Sequence, residues 1–236
     1  MKKTYVLIGN YGSGKTEISL NLALESRKKG STVLVDLDII NPYFRSTERK
    51  DMLDEHDIQL FSPIFAMTTV EVPSLPPDIY SVFIDNHDTV IFDVGGDPAG
   101  AIALGQYKHH FDTLEDLEVL YVVNAIRPFT KEVDMVLDMM EKIKACSRLN
   151  ITGFVNNSNI SYETTKEEIM RGYELMKGLY EKTGIETRMT TGIEEQLNEF
   201  MKDAEAMNLD KKFIGETMPI KRYMHRDWET FSEYGI

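Results

Sequence analysis

The sequence predicts an α/β fold with a mostly parallel β-sheet of about seven strands and helices on both faces. Short runs of β-branched and aromatic residues alternate along the chain with longer segments in which apolar residues recur at helical spacing. The run at residues 32–37 is continuous in Val and Leu up to its acidic residue, as expected for a strand covered on both faces. Strands that alternate with helices form parallel sheets through right-handed crossovers.

A strand, a helix and a second strand open the chain. Residues 4–8 form a β-branched and aromatic run that Gly9 closes, which predicts a buried strand. Residues 16–29 have apolar residues along one side and two lysines in the last turn, and Gly30 ends the pattern. These features predict a helix. Residues 32–37 then predict the second strand.

The alternation continues to residue 207. Short apolar runs predict strands at residues 58–61, 89–92, 117–123, 151–155 and 186–189. Periodic segments predict helices at residues 46–56, 76–86, 131–146, 164–182 and 193–207, with prolines tolerated at the start of the second. Residues 210–236 show no clear period, and no linker or repeat divides the chain. We therefore expect a single domain over residues 1–236 with an unassigned tail.

Composition and charge exclude several classes of protein. The 236 residues include 42% hydrophobic residues and carry a formal net charge of −13, which repels nucleic acids and anionic membranes at long range. The single cysteine, Cys146, permits no internal disulfide and is interpreted as a small core residue. No apolar stretch is long enough for a secretory signal or a membrane span. We expect a cytoplasmic protein with no nucleic-acid partner and no stable membrane anchor.

The first strand and the first helix are joined by a glycine-rich segment. It matches the pattern G-x-x-x-x-G-K-[ST] with Gly9, Asn10, Tyr11, Gly12, Ser13, Gly14, Lys15 and Thr16. Glycines let the backbone turn its N–H groups inward, and the start of the following helix favours negative charge. Lys15 is expected to reach the β- and γ-phosphates of a nucleotide, and the Thr16 hydroxyl to bind Mg²⁺. The alternative is a glycine-rich turn without a ligand.

Three carboxylates close the strands that should lie beside this loop. Asp36 and Asp38 end the second strand, and Asp93 ends the run at residues 89–92. In a parallel α/β sheet the ligand crevice lies at the carboxyl ends of the strands. Asp93 is expected to hold Mg²⁺, and a glycine N–H in the segment after it to contact the γ-phosphate. The alternative is that these acids only form turns.

In their order along the chain, the loop, Asp36-Leu37-Asp38 and Asp93-Val94-Gly95-Gly96 resemble the MinD/ParA-like ATPases of the SIMIBI class of P-loop proteins. The resemblance covers roughly residues 3–160. It implies a three-layer P-loop NTPase fold, in which Lys15 and Thr16 hold phosphate and Mg²⁺. It also implies that Asp38 orients the attacking water, that Asp36 lies in the outer Mg²⁺ sphere, and that Asp93 and Gly96 form the second switch.

One position departs from this resemblance. Many MinD/ParA-like proteins carry a second lysine directly after the first glycine of the loop, and this chain has Asn10 there. In the family that lysine reaches the nucleotide of the opposite subunit in a face-to-face dimer. A homodimer of that kind therefore stays an open expectation, in which Asn10 offers a hydrogen bond without a charge.

The residues that would read the base follow the strand at residues 151–155. Asn156-Asn157-Ser158-Asn159 resembles a degraded form of the guanine-reading N-K-x-D motif, with Asn157 in place of the lysine and Asn159 in place of the aspartate. No carboxylate remains to accept from guanine, and an asparagine amide serves adenine equally well. The sequence favours ATP and leaves GTP open. The alternative for Asn156 and Asn157 is a polar turn.

Three functions remain in competition. The first is an ATP-driven switch with slow hydrolysis that a protein partner reads, or a GTP-binding relative of the metallocentre-maturation type. The second is a small-molecule kinase or ATP-dependent ligase, with its substrate between residues 41–45 and 96–106. The third is a nucleotide-binding module without hydrolysis. The absence of a separate acid–base or nucleophile constellation favours the first. Lys221, Arg222 and Arg226 near Trp228 form a basic, aromatic patch of unassigned role.

Overall fold

The computed structural model describes residues 2–38, 46–62 and 77–224. Their strands form one sheet: β1 (Lys3–Gly9), β2 (Thr32–Leu37), β3 (Gln59–Phe61), β4 (Thr89–Val94), β5 (Asp116–Val123), β6 (Gly153–Asn156), β7 (Thr187–Gly192) and β8 (Glu216–Pro219). The spatial order is β3-β2-β4-β1-β5-β6-β7-β8, and every neighbouring pair is parallel. The α/β fold with a parallel sheet is confirmed.

Helices connect these strands. They are α1 (Lys15–Arg27), α2 (Lys50–Glu55), α3 (Ser81–Ile84), α4 (Pro98–Gly105), α5 (Lys108–Phe111), α6 (Val133–Ser147), α7 (Lys166–Thr183) and α8 (Glu194–Ala206). Short 3₁₀ turns precede α2, α3, α6 and α7 at Ser46–Arg49, Pro77–Tyr80, Pro128–Thr130 and Ser161–Glu163. A fifth lies at Lys211–Phe213. Helix α7 begins with a capping box between Thr165 and Glu168 and ends at Gly184 in the left-handed conformation.

The sheet is the middle of three layers. Successive side chains of a strand point to opposite faces, so each strand contributes to a core on either side. In β1, Val6 and Ile8 pack with α4, α6, α7 and α8, whereas Leu7 packs with α1, α2 and residues 220–224. Cys146 lies half-buried at the edge of the first of these cores. Within the described ranges, no helix combines the length and apolarity needed to cross a bilayer.

Strand β8 and the helices α4 and α5 were not expected from the sequence. The described residues contain eight strands rather than about seven, because β8 lies in the segment that was left unassigned. Helix α4 follows β4 directly, where no helix was predicted. Strand β1 lies at the centre, with β2–β4 on one side and β5–β8 on the other. The carboxyl end of β1 is therefore the point from which connections diverge, where ligands bind in such sheets.

Candidate phosphate-binding site

The loop between β1 and α1 adopts a conformation that depends on its glycines. Gly9, Gly12 and Gly14 have φ angles of 147°, 72° and 91°, which side chains rarely tolerate. A Cβ atom on Gly9 would lie 2.3 Å from the carbonyl oxygen of Val122, and one on Gly14 would lie 2.2 Å from Nδ2 of Asn157. The glycines therefore allow the loop to pass close to β5 and to the segment after β6.

Lys15 begins α1 and is buried beneath the loop. Its Nζ atom donates to the carbonyl oxygens of Gly9 at 3.1 Å and Asn10 at 3.0 Å. Burial lowers the pKa of the Lys15 ammonium. Three carboxylates oppose that shift, those of Asp93, Asp38 and Asp97. The structure thus brings the lysine of the loop together with acids from the ends of two other strands.

Asp93 is the next-to-last residue of β4 and is fully buried. Burial raises its pKa to about 6, opposed by the charge of Lys15 and by hydrogen bonds from the Thr16 and Ser46 hydroxyls. The Ser46 hydroxyl lies 3.1 Å from Oδ2 of Asp93. The other carboxylate oxygen, Oδ1, is buried without a hydrogen-bond partner among the described residues. The unpaired Oδ1 atom of Asp93 and the hydroxyls of Thr16 and Ser46 are oxygen donors of the kind that bind Mg²⁺.

Asp36 and Asp38 are placed differently from each other. Asp36 is buried opposite Asp93 in the β2–β4 register, and its Oδ1 atom accepts from the backbone N–H of Asp38 at 3.0 Å. Asp38 is half-buried and lines the same cleft as Lys15 and Thr16, whereas Asp36 does not line it. The structure therefore brings Asp38 to the cleft and holds Asp36 behind it.

Gly96 lies directly against the loop. A Cβ atom there would be 2.6 Å from the N and Cα atoms of Tyr11 and 2.9 Å from Nζ of Lys15. Only a residue without a side chain permits this approach. The segment after β4 is thus in contact with the phosphate loop, and the Tyr11 side chain remains 70% exposed.

Two neighbouring asparagines face different parts of the molecule. The Asn157 amide donates to the carbonyl oxygen of Ser13 at 2.7 Å, and its Oδ1 atom accepts from the Thr191 hydroxyl at 2.7 Å. The Asn156 side chain instead bonds to Ser158 and, at 3.2 Å, to the carbonyl oxygen of Ile169. Asn156 therefore does not reach the site where the sequence placed it, whereas Asn157 braces the loop from behind.

Two adjoining clefts surround the loop. The larger, of about 500 Å³, is the phosphate-side cleft; its walls include Asn10, Tyr11, Lys15, Thr16, Asp38, Gly96, Phe129, Thr130 and Met224. The smaller, of about 370 Å³, is the base-side cleft; its walls include Ser13, Asn124, Ile126, Asn157, Asn159, Ile160, Ser161 and Ile220. Three residues at the site, Ser46, Asn124 and Arg127, were not predicted from the sequence. Arg222 was noticed only as part of a basic patch, whose Arg226 and Trp228 lie outside the described residues.

No protein-family model matches the chain, and no curated protein is similar to it in sequence. Solved structures are similar in fold. FtsY from Mycoplasma mycoides has a TM-score of 0.54 at 15% identity, covering 81% of this chain and 60% of that one. Chloroplast FtsY from Physcomitrella patens has a TM-score of 0.54 at 16% identity, covering 80% and 58%. Signal recognition particle receptor FtsY from Elizabethkingia anophelis has a TM-score of 0.50 at 14% identity, covering 80% and 58%.

These likenesses concern the fold. The chain spans about three fifths of the length of the FtsY structures it matches. They show the fold alone, and the grouping with MinD/ParA-like proteins of the SIMIBI class rests on the sequence motifs. The chain therefore has the three-layer fold of the P-loop NTPases.

Proposed function

We propose that this chain binds ATP with Mg²⁺ in the phosphate-side cleft, hydrolyses it slowly, and acts as a nucleotide-driven switch for a protein partner. The observation that carries the proposal is the position of Lys15, buried in the loop and facing the carboxylates of Asp93, Asp38 and Asp97. Fold alone does not define function, whereas this set of groups has the composition that a magnesium-nucleotide site needs.

The loop and α1 are suited to hold the phosphates. The backbone N–H groups of residues 10–14 and the start of α1 favour negative charge, and Lys15 supplies a full positive charge. Thr16, Ser46 and Asp93 offer oxygen ligands for Mg²⁺, with Asp36 buried beside Asp93. Mg²⁺ would neutralise charge that develops on the phosphate oxygens.

Asp38 and Gly96 supply the groups for hydrolysis and switching. Asp38 faces Lys15 across the phosphate-side cleft, where a carboxylate can orient an attacking water. Lys15 must exchange its bonds to the carbonyl oxygens of Gly9 and Asn10 for bonds to phosphate. Because Gly96 lies against both Tyr11 and Lys15, that exchange is coupled to the segment that leads into α4. Such a coupling lets a partner read which nucleotide is bound.

The base-side cleft supports ATP over GTP. Recognition of guanine favours a carboxylate that accepts from two of its N–H groups. Among the described residues lining this cleft, the only acid is Glu17, and its carboxylate already accepts from the backbone N–H groups of Tyr223 and Met224. Asn124 and Asn159 also line this cleft, but their amides bond to neighbouring backbone groups, so the preference for ATP rests on the missing carboxylate. GTP remains the alternative ligand.

A small-molecule kinase or ligase is the second candidate function. The phosphate-side cleft extends beyond Thr16 and Asp38 to Phe129, Thr130 and Met224, which leaves room for a second substrate. Residues 41–45, which the sequence placed beside such a substrate, lie outside the described residues. Turnover that requires an added carboxylate or amide would select this function, and nucleotide binding without any turnover would select the non-hydrolysing module.

Phosphate release from ATP and GTP by the purified protein tests the proposal. We expect slow, Mg²⁺-dependent release from ATP that Lys15→Ala abolishes. Lys28→Ala is the matched control, because Lys28 caps the far end of the same helix and its exposed ammonium group pairs with Glu25. Equal activity of the Lys15→Ala variant and the wild type would refute the assignment of the site.

A further inference from the structure

We propose that Arg127 and Arg222 together hold the nucleotide at the junction between its phosphate chain and its nucleoside. This inference rests on the proposed nucleotide binding and adds two residues to that site. The second residue of the loop, Asn10, is uncharged. The two arginines would supply positive charge beside the loop from the chain itself.

The position of the junction follows from the two clefts. They share six lining residues: Gly12, Gly14, Glu17, Arg127, Pro128 and Arg222. The phosphate-side cleft contains Lys15, and the base-side cleft lies against Asn157 and Asn159. A nucleotide that fills both clefts must cross this shared boundary. Arg127 and Arg222 are the basic side chains at that boundary among the described residues.

Arg127 is brought to the loop by the turn after β5. The backbone N–H of Arg127 donates to the carbonyl oxygen of Asn124 at 3.1 Å, and Thr130 donates a hydrogen bond to the carbonyl oxygen of Asn124 through its hydroxyl. This turn directs the exposed side chain towards the loop, so that Nε lies 3.8 Å from where a Cβ atom on Gly12 would be. The guanidinium group therefore stands over the middle of the phosphate loop.

Arg222 is brought to the loop by a segment that α1 holds in place. Asn21 makes two hydrogen bonds of 2.8 Å with the backbone of Lys221, accepting from its N–H and donating to its carbonyl oxygen. One turn earlier, the Glu17 carboxylate accepts from the backbone N–H of Tyr223 and, at 3.1 Å, from that of Met224. Glu17 and Asn21 lie one turn apart on α1, and together they fix the backbone on both sides of Arg222.

The guanidinium group of Arg222 is also oriented. Its central carbon lies 4.3 Å from the centre of the Tyr162 ring, which holds the planar group against an aromatic face. Glu17 lies at the same boundary, so that the charges of Arg127, Arg222 and Glu17 leave one net positive charge there. An arginine held in a fixed plane offers two parallel N–H groups to a phosphate or ribose oxygen.

The test is a titration of the purified protein with a slowly hydrolysed ATP analogue at several salt concentrations. Each of Arg127→Ala and Arg222→Ala should weaken binding by about tenfold, the value of one charge-assisted hydrogen bond. The double variant should bind more weakly than either and should show a shallower dependence on salt. Arg222→Lys should keep most of the salt dependence, because it retains the charge.

Lys221→Ala is the matched control, because Lys221 adjoins Arg222 and its exposed side chain lines neither cleft. It should bind the analogue as the wild type does, and thermal unfolding of all variants should confirm that they fold. Wild-type affinity and salt dependence in the double variant, with binding lost in Lys15→Ala, would overturn this inference and leave the proposed function standing. Absence of binding by the wild type would overturn both.

Discussion

The Tyr121 hydroxyl donates a hydrogen bond of 2.6 Å to the Oδ1 atom of Asn10. Tyr121 is fully buried in β5, and Asn10 is only 5% exposed at the start of the phosphate loop. The bond turns the Asn10 side chain into the domain, at the position where MinD/ParA-like proteins carry a lysine that reaches another subunit. Asn10 therefore anchors the loop to the sheet, and its backbone carbonyl receives Lys15.

Removal of this anchor should weaken nucleotide binding. Tyr121→Phe leaves Oδ1 of Asn10 without its partner, which costs about 1–3 kcal/mol of the free energy of unfolding. We expect a loss of ATP-analogue affinity of several-fold, measured by calorimetric titration. Tyr173→Phe is the control, because it removes a hydroxyl that accepts from the Asp210 N–H far from the loop. Equal affinities of the two variants would contradict the anchoring role.

Gly96→Ala should disturb the loop through steric overlap. The new Cβ atom would lie 2.6 Å from backbone atoms of Tyr11, so that either the loop or the segment after β4 must move. We expect weaker binding of the ATP analogue and slower hydrolysis. Gly178→Ala in α7 is the control, since its Cβ atom would overlap a Val133 side-chain carbon at 2.7 Å, away from the loop. Wild-type binding and hydrolysis by Gly96→Ala would show that this contact is not needed.

Asp38→Ala should separate hydrolysis from binding. The carboxylate of Asp38 lies in the phosphate-side cleft and is assigned to the attacking water, so its loss should slow hydrolysis by about 100-fold or more. Affinity for the ATP analogue should change only a few-fold. Asp138→Ala, on the exposed face of α6, should change neither quantity. Normal phosphate release by Asp38→Ala would show that another group orients the water.

Asp93 should make stability depend on pH in a defined direction. Its pKa is raised to about 6 from 3.8 by burial, so the folded protein binds more protons than the unfolded chain between these values. This group therefore lowers the free energy of unfolding as pH rises from about 4 to 6, by on the order of 3 kcal/mol in total. Its contribution becomes constant about one pH unit above the folded-state pKa, near pH 7.

Urea unfolding of wild type and Asp93→Asn without Mg²⁺, from pH 4.5 to 7, measures that contribution. The stability of Asp93→Asn relative to wild type should increase with pH and level off near pH 7. Asp88→Asn provides a control without a pH trend, because hydrogen bonds from Ser31 lower the pKa of Asp88, so that this carboxyl is ionised in both the folded and the unfolded chain above about pH 5. A difference between wild type and Asp93→Asn that does not vary with pH would contradict the raised pKa.

The parts of the fold that were predicted correctly are those marked by a pattern of neighbouring residues in the sequence. The phosphate loop is eight consecutive residues, and the central strands are apolar runs with clear ends. Helix α4 gave no such signal, because Pro98, Gly100 and Gly105 lower its helix propensity. Strand β8 has four residues, of which only Met218 is buried, so its pattern is too short to show a period.

The contacts that complete the site join distant parts of the chain. Asn10 and Tyr121 are 111 residues apart, and Asn21 and Lys221 are 200 apart, so no local pattern announces either pair. The sequence did point to Asn156 and Asn157, because both follow a predicted strand, but it did not distinguish between them. Because side chains alternate along a strand, two adjacent residues cannot both face the loop, and the structure selects Asn157.

The most direct test of the central claim is calorimetric titration of the wild type and Lys15→Ala with slowly hydrolysed analogues of ATP and GTP, each with and without Mg²⁺. We predict Mg²⁺-dependent binding of the ATP analogue by the wild type, weaker binding of the GTP analogue, and no binding of either by Lys15→Ala. Absence of binding by the wild type, or equal binding by Lys15→Ala, would contradict the assignment of the loop as a nucleotide site.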